Sequence, residues 1–295
     1  MTALSTMDRI WRGFARYVEK PTLQLIGPQP VVRTIFALTA PLTSALPCGA
    51  TVVRQTDGTL HITPQGTPRD APIMYYLHGG GFTIGGPGTH AALVGHLAQA
   101  ADMRAVVQRY RLAPRHPFPA AKDDAIAGFA ALVSQGTPPA AICGDSAGGC
   151  LALQVACHAR DNDLPMPAAL GLIAPIADLS GDLEARFAAA GDEILIPPAW
   201  AKRILAAYLP GRDPADPEIS PLRGDLTGLP PTLIQAATDE ALAHDAHRLA
   251  SAMDKVTLDL WPGMAHVWHL HAGRSPAADR ALAQMGTFLA GHLTP

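Results

Sequence analysis

Between residues 140 and 160 the chain passes from "AAICGD" to "LALQVACHA" with only "SAGGC" between them. A short apolar run that hands over to a helical pattern within so few residues leaves no chain for any route except a helix doubling back along its own strand. The next parallel strand must then be reached by a crossover, which is the βα unit of a parallel sheet. Further runs of this kind predict strands at 51 to 56, 59 to 63, 73 to 77, 104 to 109, 140 to 144, 169 to 175, 232 to 237 and 256 to 261. Helical patterns lie between the later ones, at 89 to 101, 120 to 134, 147 to 160, 241 to 254 and 276 to 290. Several of the strands are apolar throughout rather than alternating, as strands covered on both faces are. The pattern predicts an α/β fold, a mostly parallel doubly wound sheet flanked by helices.

Two segments stand outside this rhythm. Ile10, Trp11, Phe14, Tyr17 and Val18 fall at helical spacing after a Ser-x-x-Asp start, predicting an amphipathic helix over 5 to 19 whose stripe covers some other surface. The interval 178 to 229 has a polar lead, one helix near 197 to 209 and the turn-rich "GRDPADPEISPLRG". It reads as an insertion that forms a lid together with the N-terminal helix. Trp11, Phe14, Trp200, Leu205 and Tyr208 then either line a pocket or simply pack.

Charge narrows the partners. Lys plus Arg number 22 against 25 Asp plus Glu, a formal −3 with no basic block, so nucleic acid is excluded and a small molecule favoured. The four cysteines, Cys48, Cys143, Cys150 and Cys157, make no C-x-x-C pair and no disulfide framework; Cys143 and Cys150 read as small core fillers. No signal-peptide h-region precedes residue 20, and "TIFALTAPLTSALPC" ends in a lipoprotein-like cysteine but with Pro47 just before it and too late in the chain. A cytoplasmic protein without a membrane span is expected, and a homodimer is allowed for.

Function is written at the ends of four strands. Gly144-x-Ser146-x-Gly148 sits on the strand-to-helix turn, where a strained elbow exposes a serine hydroxyl and the helix N-terminus favours developing negative charge. His78-Gly79-Gly80-Gly81 follows the strand at 73 to 77; three glycines allow backbone N–H groups to approach an oxyanion without Cβ atoms in the way. Phosphate binding would call for Gly-Lys-Ser/Thr or G-x-G-x-x-G, and neither is present. A serine needs a general base, and His266 stands on the loop after the last strand. The rival is a metal site from His266, His269 and His271, or from His244 and His247, which no H-E-x-x-H helix supports. An orienting carboxylate is offered by Asp239 and Glu240 after the strand at 232 to 237. All four stations lie where open α/β sheets place their sites.

HGGGF with Thr89 and His90 downstream, "YRLAPRHPFPAAKDD" at 110 to 124, GDSAGG at 144 to 149, "DPADPEISPL" at 213 to 222, "LPPTLI" at 229 to 234 and "WPGMAHVW" at 261 to 268 resemble the hormone-sensitive-lipase-like family of α/β-hydrolase carboxylesterases. The resemblance implies a two-part helical cap, from residues 1–48 and the insertion 178–228, over a catalytic core of 49–177 and 229–295. It implies an oxyanion hole from the N–H groups of Gly80, Gly81 and Ala147, with His78 and Gly79 supporting the loop. Where the family has Asp-Pro-Leu, this chain has Asp239, Glu240, Ala241 and Leu242, and counting without gaps prefers Glu240 as the acid, with Asp239 one residue of slip away. Arg115 replaces the family's usual Glu, which touches local salt bridging, and Asp145 reads as a turn residue.

The function expected is a serine carboxylesterase for short-chain esters of small molecules, using Ser146, His266 and Glu240 with no metal or organic cofactor. A lactone or amide hydrolase with the same triad is the alternative. A ligand-binding protein on the same scaffold is a third reading, as in plant hormone receptors that have lost the histidine. A metallohydrolase is a fourth, distinguished by its response to a chelator.

Overall fold

The computed structural model describes residues 4–181 and 183–293, so the outermost ends of the expected segments and residue 182 lie outside the described residues. Among the described residues eight strands form one sheet: β1 (Thr51–Arg54), β2 (Leu60–Thr63), β3 (Ile73–Leu77), β4 (Arg104–Gln108), β5 (Ala141–Asp145), β6 (Ala169–Ile173), β7 (Thr232–Ala237) and β8 (Val256–Trp261). Each lies within two residues of its expectation. The order is β1-β2-β4-β3-β5-β6-β7-β8, with β1 and β2 antiparallel and everything from β4 onward parallel. β3, β5, β6 and β7 are buried along their whole length, which is why they read as unbroken apolar runs.

Among the described residues ten α-helices accompany the sheet: α1 (Thr6–Phe14), α2 (Lys20–Leu25), α3 (Gln29–Thr43), α4 (Pro87–Ala100), α5 (Ala120–Ser134), α6 (Ala147–Asp161), α7 (Leu183–Ala189), α8 (Pro198–Tyr208), α9 (Ala243–Ala252) and α10 (Pro276–His292). Helices α5, α6 and α9 share one core with Tyr75, Leu77, Ile142 and Ile234. Helices α4 and α10 bury the other face with Met74, Tyr76, Cys143 and Ile173. The chain therefore leaves β3 toward β4 on one side while β5 lies on the other, a topological switch point at the carboxyl ends of β3 and β5.

The N-terminal segment departs from the expected single helix. After α1 the chain makes a π-helical stretch, Ala15–Glu19, before α2. Pro21 lies just inside α2, and a proline has no N–H to donate to the carbonyl four residues back, against which its ring also crowds. Widening the preceding turn accommodates it, and a π turn rotates every later side chain relative to α1. The expected stripe is thereby broken at Tyr17, which is 75% exposed while Ala15 is buried, and Ile10, ahead of the turn in α1, is itself 51% exposed. Helices α3 and α7 carry no clear stripe and were not expected individually; α3 even holds Pro41 in its last turn.

The two segments outside the core rhythm meet above the sheet. Leu23 and Val32 join Ile196, Trp200 and Ile204 of the insertion and Ile84 and Leu242 of the core in one apolar cluster. At one edge the Asp8 carboxylate accepts from Ser5 N (3.1 Å), closing the capping box of α1, and from Ser275 Oγ (2.7 Å) and Ala277 N (3.1 Å) at the start of α10. At the other edge Asp192 pairs with Arg12 (2.7 Å) and Arg16. The insertion is tied down by the fully buried Asp245, which accepts from Ala177 N (2.9 Å) and Asp178 N (3.1 Å) and faces Arg186 at 3.3 Å.

Candidate active site

Ser146 caps α6 at the tip of β5 with φ 51° and ψ −117°, a conformation an L-residue adopts only when its surroundings enforce it. The flanking glycines are steric necessities: a Cβ on Gly148 would stand 1.9 Å from Leu77 O, and one on Gly144 2.3 Å from Gly148 O. The elbow is thus pressed against the end of β3, and the hydroxyl is left at the sheet's upper rim.

His266, on the loop after β8, brings Nε2 to 3.0 Å from Ser146 Oγ, across 120 residues of sequence. Its Nδ1 lies 2.5 Å from Glu240 Oε2. Glu240 spends its other oxygen on Ala237 N (2.9 Å), which locks the carboxylate against the end of β7. Asp239 is not brought to the imidazole; its carboxylate faces Gly191 and its carbonyl accepts from Asp192 N. Burial by itself would push the His266 imidazole down. The Glu240 carboxylate, by charge and hydrogen bond, with Glu193 and Asp145 adding to it, outweighs burial and leaves His266 above its ordinary value.

The glycine loop after β3 is held from below. Asp145, 2% exposed, accepts from Gly79 N (2.9 Å) and Tyr76 Oη (2.9 Å) and meets His90 Nε2 at 3.3 Å. Burial opposes its charge, but His90, Tyr76 and His78 hold its carboxyl below the usual range. Gly79 is required here because a Cβ would sit 2.1 Å from Asp145 Oδ2. His78 stacks on Tyr110 with centroids 4.1 Å apart, and Tyr110 Oη donates to His78 O at 2.5 Å. Burial, with His90 beside it, pushes the His78 imidazole down to about 3, so it serves as a neutral wedge. Gly80 and Gly81 follow with φ +112° and +57°, and among the described residues no acceptor takes their N–H groups or that of Ala147. These three donors border the same cavities as Ser146.

Two cavities open from Ser146. The larger, about 1120 Å³ of open space including its mouth, runs under the N-terminal helices past Phe14, Leu23, Phe36 and Leu270. The smaller, about 620 Å³, runs under the insertion past Phe82, Phe187, Ile204 and Leu205. Trp200 and Ile196 border both. Of the aromatic residues weighed from sequence, Phe14 and Trp200 line cavities. Trp11 instead stacks on His271 at 4.6 Å, and Tyr208 stacks on Phe82 at 3.9 Å.

The other histidines have different neighbours. His269 Nε2 meets Gln235 Oε1 at 3.0 Å, His271 Nδ1 meets Thr43 O at 3.3 Å, and His244 and His247 are exposed. Among the described residues no three His, Cys, Asp or Glu side chains are grouped to hold a metal. Burial pushes the Cys143 thiol up to about 12 and raises Cys150 as well, so both are inert packing. Arg115 is exposed, and the local ion pair is Arg111 with Asp124 at 2.8 Å. No described helix is long and apolar enough to cross a membrane. Sequence reasoning missed the anchoring position of Asp145 and the cavity position of Glu19. The first is signalled only by its place beside the elbow, the second by the proline two residues on.

Comparison with known proteins places this geometry in context. Residues 74–270 match the model of a family described as alpha/beta hydrolase fold. An acetyl-hydrolase of Streptomyces hygroscopicus is 41% identical over 75% of this chain and 76% of its own length. Among solved structures, an esterase from the bacterial hormone-sensitive lipase family superposes with a TM-score of 0.87 at 31% identity, covering 99% of this chain and 100% of that one. EstE5, in a crystal soaked by p-nitrophenyl butyrate, superposes with a TM-score of 0.86 at 33% identity, covering 98% of this chain and 99% of that one.

Proposed function

Because this chain belongs to the α/β-hydrolase family and is an esterase of its hormone-sensitive-lipase group, we propose that it hydrolyses short-chain acyl esters through Ser146, His266 and Glu240. The observation that carries the reading is the continuous chain of contacts, Ser146 Oγ to His266 Nε2 at 3.0 Å and His266 Nδ1 to Glu240 Oε2 at 2.5 Å.

His266 takes the hydroxyl proton as Ser146 Oγ attacks the ester carbonyl, and the N–H groups of Gly80, Gly81 and Ala147 receive the oxyanion. The imidazolium then protonates the departing alcohol. Water, deprotonated by the same imidazole, attacks the acyl-enzyme and releases the acid and Ser146. Glu240 fixes the Nδ1–H tautomer and stabilises the imidazolium throughout.

Residues 1–48 and 178–228 act in this reading as a two-part cap over a core of 49–177 and 229–295. Short chains are the reading drawn for the acyl portion, which would lodge among the Phe, Trp and Ile side chains that line the two cavities. The acetyl-hydrolase relative and the butyrate ester soaked into EstE5 point the same way. Lactones and amides would use the same machinery.

The test is intact-protein mass after exposure to a small fluorophosphonate, followed by p-nitrophenyl esters of increasing chain length. One adduct on the wild type, none on Ser146→Ala, and turnover that declines with chain length are expected. An unlabelled but folded wild type, or a preference for long chains, would overturn the corresponding part.

A further inference from the structure

The larger cavity is lined mostly by apolar side chains, with threonines and His271 among them, and the wall formed by the N-terminal helices carries one carboxylate. Glu19, the last residue of the π-helical stretch, lines it beside Phe14, Val18, Thr22 and Leu23. Its side chain is packed round by protein yet remains open to the cavity, and no hydrogen bond or ion pair satisfies it among the described residues. The charged groups that could neutralise it are engaged elsewhere. On its own segment, Arg12 and Arg16 hold Asp192, and Lys20 Nζ donates to Glu193 O at 2.5 Å. On α3, Arg33 donates to Thr83 O and Ala113 O. From the insertion, Glu193 caps Leu195 N, Ile196 N and Ala241 N, and Arg203 donates to Leu23 O and Gln24 O. From the core, His90 is against Asp145, His266 against Glu240 and His271 against Thr43 O.

An unpaired carboxylate in an apolar wall costs folding free energy and returns none to the fold. A glutamine or leucine would line the cavity more cheaply. Position 19 shares this wall with Ala15, Val18 and Thr22 of the same segment.

Building on the triad reading, we propose that Glu19 is a specificity-determining residue that selects esters carrying a protonated amine on the portion lodged in the larger cavity. The ammonium supplies the missing partner through a charge-assisted hydrogen bond in a site largely screened from water. Burial pushes the empty carboxyl up to about 7, so the cavity near neutrality holds a group poised to ionise when a cation arrives. The bound cation draws the carboxyl back down and the proton leaves to solvent.

Matched isosteres test this. Dimethylaminoethyl acetate against isoamyl acetate places the charge on the alcohol portion, and ethyl dimethylaminobutyrate against ethyl isoheptanoate places it on the acyl portion. In one of the two pairs the wild type should favour the amine in kcat/KM by about tenfold or more, the scale of one charge-assisted contact. Glu19→Gln should erase that ratio and Glu19→Asp should restore part of it. The ratio should also fall as pH drops through about 7, where the carboxyl protonates. Titration of His266 affects both members alike and cancels. Ratios in both pairs that are unchanged by Glu19→Gln would overturn the inference. Fluorophosphonate labelling run alongside separates the failures: a labelled Ser146 with unchanged ratios sinks only the role of Glu19, whereas an unlabelled Ser146 sinks both.

Discussion

Beneath Ser146, Asp145 gathers Gly79 N, Tyr76 Oη and His90 within 3.3 Å, and Tyr110 clasps the carbonyl of His78 at 2.5 Å. Above it, the N-terminal helices touch the rest of the protein through the apolar cluster of Leu23, Val32 and Trp200 and through hydrogen bonds and ion pairs spread along the segment, among them Arg33 to Thr83 O, Arg203 to Leu23 O and Arg12 to Asp192. Leu25, Leu38 and Leu42 on that upper layer are 80%, 70% and 73% exposed, whereas the side chains of β3 below are all buried. The floor is therefore a directional network in which each group fixes its neighbours, and such networks hold geometry to fractions of an ångström. The roof joins an apolar cluster to polar ties that end largely on main-chain carbonyls or on a half-exposed carboxylate, and its outer leucines stay exposed. In the reading proposed, chemistry belongs to the first and selection among substrates to the second.

This contrast can be broken at its strongest point. Ser146→Ala should lower ester turnover by at least about 10⁴-fold while thermal melting stays at the wild-type temperature, because the variant removes only the hydroxyl at the elbow. Glu240→Gln should cost about 10⁴-fold in kcat, and Asp239→Asn, whose carboxylate faces Gly191 instead, only a few-fold; comparable losses from both would show that the acid is not specified by geometry.

The same floor predicts a pH profile. His266 must be neutral to accept the serine proton, and its value is raised by Glu240. Activity on a neutral ester should thus fall on the acid side through a midpoint above the ordinary 6.5. A midpoint below 6.5 would mean that burial, not the carboxylate, dominates.

A smaller effect is expected one layer down. Asp145→Asn keeps an acceptor for Gly79 N but removes the charge beside His90, and should lower stability by about 1.5–3 kcal/mol and kcat more than KM. An equal rise in KM with kcat untouched would move Asp145 out of the positioning network. The smallest stability change belongs to the roof: Asp192→Asn loosens the half-exposed pairs with Arg12 and Arg16 and should cost less than about 1 kcal/mol in melting, yet raise KM. If its melting cost exceeds that of Asp145→Asn, the division between a rigid floor and a loosely held roof is wrong.

The alternation of strands and helices was legible from residue 50 onward because each element's pattern reports its own burial, and burial in a doubly wound sheet is nearly uniform along a strand. Ser146, the glycine loop and His266 were legible for a related reason: each sits at the end of a strand, where loop composition is dictated by close backbone approach. Position 17 was misread because a helix period was extended through a π turn that a single downstream proline imposes. Helices α3 and α7 left no stripe because each is only partly covered.

By itself, then, the amino-acid order determined the sheet, its flanking helices and the rim on which the reacting groups would stand, since these follow from local periodicity and from where glycine is sterically unavoidable. Tertiary structure alone decided that Glu240 rather than Asp239 reaches His266, that Asp145 holds the glycine loop, and that Glu19 faces the cavity. The first two depend on side-chain direction toward groups 26 and 66 residues away, and the third on how the N-terminal segment lies over the core. That direction is set by the packing of whole elements against one another, and no local pattern encodes it.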